Sequence, residues 1–247
     1  MFETFLIKPL YNAFIFLIGV APSGDVGLAI IIMTIIVRAV FYPAFTASIR
    51  TQMGMQAVQG EIDEINTKFK DNPDEKAKRT MQLFKDKKIR PFAGFVAILV
   101  QIPIFIALYY AFFREGLPHI ATNLLYSFVP APATVNVEFL GFLNLLSTHN
   151  VILAAVVGGL QYLVVHVSLL RTKSGPQATL APQKAQAQAM QQNMMLYFMP
   201  VLYAVITYSL PAAAGLYFGV GNLISLGQEF LIRHQLQQES RSRNPDA

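Results

Sequence analysis

Five apolar stretches, each close to 20 residues long, constrain this chain more than any other feature: residues 27–49, 92–113, 151–170, 193–210 and 212–232. A stretch of that length can close its own backbone hydrogen bonds across roughly 30 Å of hydrocarbon, so each reads as a transmembrane helix. Only 13% of the 247 residues are charged. A soluble domain carries about 25%, which sets a soluble enzyme aside. The fold class that follows is an all-α integral membrane protein with a five-helix core. Leu210-Pro211-Ala212 separates the last two stretches, and a proline there predicts a tight hairpin. Residues 5–20 are apolar but short, carry Pro9 and run into Ala21-Pro22-Ser23-Gly24. Without a basic leader or a cleavage site they read as a helix in the outer interface, within an N-terminal segment 1–26, in preference to a sixth span.

The basic residues set the orientation. Ten lie between the first two spans, in residues 50–91; Arg171, Lys173 and Lys184 fall in 171–192; Arg233, Arg241 and Arg243 lie in the tail, 233–247. That is 16 of 19, against only Lys8 and Arg114 on the other side. The positive-inside rule therefore places the N-terminus and the 114–150 loop outside and the C-terminus in the cytoplasm, as five spans require.

Within residues 50–91 the apolar residues Val58, Ile62, Ile65 and Phe69 form one helical stripe. Asn72-Pro73-Asp74-Glu75 reads as an N-cap, a proline at the first helical position and an acidic first turn, opening a second helix that carries Ala77, Met81 and Phe84. The segment is thus expected to be a cytoplasmic helical hairpin.

Arg38 is the exceptional charge. It lies eleven residues into the first span, roughly 16 Å from the cytoplasmic end by helical rise, where an arginine costs about 2.5–3.5 kcal/mol. Glu229 sits about 12 Å shallower, too far for an obvious ion pair. Gln101, Gln161, Tyr203 and Asn222, one in each other span, fall at the arginine's level, and Thr34 and Tyr42 flank it on its own helix. Such groups either glue helices together or line a hydrated interior. The combination points to a positively charged, partly hydrated cavity reached from the cytoplasmic side.

Little points to covalent chemistry. The four histidines are scattered and there is no HExxH, GxSxG, P-loop or GxGxxG pattern, so neither a metal nor a cofactor is expected. The absence of cysteine excludes disulfides and thiolate chemistry. Two functions remain: a small-solute transporter or channel with a cationic site, and a protein that handles other membrane segments, to which the methionines near 190–199 and 33–55 would adapt.

Several ordered motifs favour the second. Thr34-Ile35-Ile36-Val37-Arg38 with Pro43, Gln101-Ile102-Pro103-Ile104-Phe105 followed by Ala107-Leu108-Tyr109, Met199-Pro200, and Gly215-Leu216-Tyr217 with Asn222 resemble the core spans of the YidC-type membrane protein insertases, a family with mitochondrial and chloroplast relatives. The resemblance implies a hydrophilic groove open to cytoplasm and lipid, in which Arg38 and Gln101 face the substrate together with Tyr217, Phe218 and Asn222; Thr34 joins them by its four-residue spacing from Arg38, and Gln161, more weakly, by depth. It implies insertion and folding of nascent membrane proteins, alone or with the Sec translocon, and partners among ribosome or signal recognition components, with the bilayer as surroundings and no direct nucleic-acid role. The large extracytoplasmic domain of many Gram-negative members is not seen, the third span matches loosely, and Gly60 stands where the hairpin often has proline. With no transit peptide evident, a bacterial plasma membrane is expected.

Overall fold

The computed structural model describes residues 7–90, 106, 110, 116–172, 190 and 193–243. The expected second span, 92–113, and with it Gln101, lies outside the described residues except for 106 and 110. Eight α-helices carry the described fold: α1 (Lys8–Val20), α2 (Val26–Val40), α3 (Tyr42–Ala57), α4 (Gln59–Lys68), α5 (Pro73–Asp86), α6 (Val151–Thr172), α7 (Met199–Ser209) and α8 (Ala212–Arg243). The strands β1 (Glu138–Phe139) and β2 (Leu143–Asn144) form one short antiparallel hairpin.

Pro9 starts α1 instead of breaking it, because a proline in the first turn has no intrahelical donor to lose. Thirteen residues rise about 20 Å, short of the hydrocarbon thickness. Its inner face is sealed: Tyr11, Asn12, Phe14, Ile15, Leu17 and Ile18 are buried. The Asn12 amide donates to the Leu124 carbonyl and accepts from the Tyr126 N–H, while the Tyr11 hydroxyl accepts from the Ala121 N–H. These bonds fasten the 117–129 segment to α1, and together with the start of α2 and Tyr217 they make the main hydrophobic core.

The residues of the expected span 27–49 are divided between two helices bent by 65°. The break has a local cause. Pro43 lacks an N–H and its ring would clash with the Ala39 carbonyl of a continuous helix, so Phe41 leaves helical geometry (φ −94°, ψ 13°) and a new helix begins with proline in its first turn. Asp25 caps α2 by accepting the Leu28 N–H at 2.9 Å.

α4 and α5 fold back on each other, and the Asn72 side chain caps α5 by accepting the Glu75 N–H. The buried face of α5 is rotated from the expected stripe. Phe84 is buried as anticipated, but Ala77 and Met81 are exposed, and Lys76, Thr80 and Leu83 turn inward instead. Beyond the helix Ile89 packs against Gly54 of α3, and its N–H donates to the Phe84 carbonyl.

α6 is the one helix among the described residues that is by itself long and apolar enough to cross a membrane, over Val151–Leu169, with the bent α2–α3 pair a second candidate. It packs on α7 where Gly158 faces Ala204 and the Pro200 carbonyl. Ahead of α7, Met194–Phe198 form a π-helical turn. That widening accommodates Pro200, whose ring would otherwise meet the preceding turn. Leu210 is extended before Pro211, giving the expected hairpin into α8. The first N–H groups of α8, at Ala212 and Ala213, donate to the carbonyls of Ser147 and Leu145. α8 runs on beyond the expected limit at 232 to Arg243, since nothing in 233–243 breaks a helix and the first proline is Pro245.

Candidate functional site

The site forms where α2, α3, α7 and α8 converge on Arg38. Its guanidinium carbon lies 4.4 Å from the ring centroid of Phe45, seven residues along the same chain but on the far side of the bend. An aromatic face held there is attracted to the cation and shields one side of it. On α8, Gly221 admits the arginine closely: a Cβ at that position would stand 3.3 Å from a terminal guanidinium nitrogen. Tyr203 of α7 and Tyr217 of α8 lie near enough to interact electrostatically with the charge. Among the described residues, no carboxylate lies within salt-bridge distance of Arg38.

Aromatic contacts fix the surrounding rings. Phe218 sits edge-on to Tyr203, with centroids 5.2 Å apart, and contacts Tyr217 at 5.6 Å. Tyr217 and Gly221 are four residues apart and present one face of α8 to α2, with Phe218 and Asn222 following on the adjoining face. Asn222 is 7% exposed, and its buried amide nitrogen meets no hydrogen-bond partner among the described residues.

The structure therefore brings Arg38, Tyr217 and Phe218 together, with Asn222 one residue beyond Gly221. Thr34 is different. It is 3% exposed and its hydroxyl donates to the Ile30 carbonyl of its own helix at 2.6 Å, which uses the donor locally. Gln161 on α6 is half-buried, and no interaction among the described residues joins it to Arg38. Sequence reasoning missed Phe45 as a partner; its spacing of seven from Arg38 would suit one face of a continuous helix, but the bend at Phe41 sets the contact. At Gly221 the group received against α8 is the arginine itself.

A mostly helical bundle with exposed apolar flanks on α6 and α7 and a guanidinium held among aromatic rings defines an all-α membrane protein. The model of the 60Kd inner membrane protein family matches residues 19–239, and the chain belongs to that family, the YidC-type insertases. Among its relatives, the membrane protein insertase YidC of Janthinobacterium sp. (strain Marseille) is 30% identical over 86% of this chain and 35% of its own length. The YidC of Haemophilus influenzae (strain PittEE) is 29% identical over 95% of this chain and 38% of its own, and that of Pelobacter propionicus is 31% identical over 85% and 35%. The chain thus spans little more than a third of the length of these relatives.

Proposed function

We propose that this protein inserts integral membrane proteins into the bilayer and helps them fold, through a positively charged hydrophilic groove centred on Arg38 in a five-span core. The observation that carries the reading is the guanidinium held among Phe45, Tyr203, Tyr217 and Gly221 without a carboxylate among the described residues. An arginine offers five N–H donors, and neutral phenols and a ring face leave its charge for an incoming anion. In surroundings of low dielectric that attraction exceeds its value in water.

A hydrophilic segment bearing an acidic residue is drawn partway across, while the apolar segment beside it partitions into lipid. Burial of that segment at about 25 cal/mol per Å² supplies the driving force, aided by the membrane potential. No covalent bond is made or broken. In this reading the 50–91 hairpin and the C-terminus face the cytoplasm, residues 1–26 lie at the outer interface, and the Sec translocon and ribosome or signal recognition components are partners. Gln101 joins the groove from the second span, and Gln161 more weakly from the third.

Site-specific crosslinking of a stalled nascent membrane protein tests the reading directly. Photoreactive residues at positions 203 and 217 should capture the nascent chain, whereas a control at Met81 on the hairpin's exposed face should capture it less. No capture near Arg38, together with saturable solute uptake in proteoliposomes, would replace the insertase reading with that of a transporter.

A further inference from the structure

The β1–β2 hairpin ends in an apolar tip that stands exposed. Leu140 and Gly141 are its two central residues, both with positive φ (53° and 74°), and the Phe142 N–H donates back to the Phe139 carbonyl. A β-turn whose two central residues both have positive φ favours asparagine or aspartate followed by glycine. Leucine in the left-handed region is sterically disfavoured, and here it gains no internal packing: Leu140 is 67% exposed and Phe142 79%.

The hairpin's placement indicates what covers the tip. The Val26 N–H donates to the Asn136 carbonyl and the Asn136 N–H donates to the Gly24 carbonyl, a parallel pairing around Asp25. The chain leading into β1 therefore runs in the same direction as the chain entering α2. Phe139 then packs its ring on Gly27 in the first turn of α2. The tip lies within about 7 Å of that contact by strand rise, beside the first turn of α2. The neighbouring start of α6 exposes Val151 and Ile152 at the same end of the bundle.

We infer that Leu140 and Phe142 insert into the acyl–headgroup boundary of the leaflet on the side of the 116–150 segment, anchoring that segment to lipid. This is independent of which substrates the protein inserts. The occupant is the bilayer itself: an apolar side chain beside a membrane-embedded helix is covered by lipid, and partition of its surface offsets the strained turn.

The chain contains no tryptophan, so single-tryptophan variants read depth without background. Phe142→Trp, Leu140→Trp and, as a reference, Ala133→Trp, which lies exposed before the parallel run, are compared in the full chain reconstituted into phosphatidylethanolamine–phosphatidylglycerol vesicles with acyl-chain-brominated lipid. The inference expects blue-shifted emission quenched by brominated lipid for positions 140 and 142, and neither for 133. Water-like emission at 142 without quenching would overturn it. Blue-shifted emission without lipid quenching would overturn it equally, in favour of a protein covering the tip.

Discussion

Gly221 of α8 and Arg38 of α2 meet so closely that a Cβ on residue 221 would lie 3.3 Å from the guanidinium. The absent side chain on one helix is what gives the charge on the other its place.

Bulk at position 221 should therefore displace the arginine. The neighbour is the end of a flexible side chain, so Gly221→Ala should be tolerated, with the guanidinium shifting by tenths of an ångström. Gly221→Leu should disrupt the site and reduce insertion of a substrate with an acidic translocated tail about as severely as loss of Arg38. Complementation of a depleted strain with each variant, with protein levels checked by immunoblot, measures the difference; equal activity of the leucine variant and wild type would show that Arg38 needs no such seat.

Charge reversal should matter more than change of shape. Arg38→Glu should strongly impair insertion of substrates with acidic translocated tails, while Arg38→Lys keeps the charge and loses only part of the ring contact, whose cation–π attraction is about 0.5–2 kcal/mol. An in vitro insertion assay in proteoliposomes with paired acidic and neutral substrates checks this. Wild-type insertion by both variants would sink the electrostatic mechanism.

Asn12 should be important for stability without touching the site. Its side chain satisfies the Leu124 carbonyl and the Tyr126 N–H in a buried setting. Asn12→Leu leaves both unpaired, at about 1–3 kcal/mol each. A lowered thermal unfolding midpoint in detergent is expected, with faster hydrogen exchange in 117–129; an unchanged midpoint would mean that this segment is not fastened through Asn12.

The cap on α5 should act locally. Asn72→Ala removes the bond to the Glu75 N–H and should cost about 1 kcal/mol. Hydrogen–deuterium exchange should rise over 73–86 and stay unchanged in α6. The Lys87–Glu61 pair at 2.8 Å is half-exposed on both sides and adds little, about 0.2–1 kcal/mol, so added salt should not reproduce the cap's loss.

What was legible in the sequence had a local cause. Asn72-Pro73 announced α5, and Leu210-Pro211 announced the turn into α8, because capping and proline geometry act within a few residues. Arg38 was legible as a site residue because a cation in a long apolar stretch is costly wherever the neighbours lie. The bend at Phe41 was also local in origin, in Pro43, but hydropathy alone carries no sign of a kink, and the span read straight through it. The face of α5 was misread because Ala77 and Met81 are only weakly committed to burial, so tertiary packing and not the apolar pattern set which side turned inward.

The sequence by itself determined that this is a helical membrane chain with one costly arginine, since the length of an apolar stretch and the energy of a charge within it are properties of short segments. Only the tertiary structure decided what surrounds that arginine. Phe45 comes from beyond a bend, Tyr203 from α7, and Gly221 and Tyr217 from α8, nearly two hundred residues downstream. No periodicity or spacing encodes such contacts, because they arise from helices packing side by side, and packing is set by the whole set of facing surfaces at once.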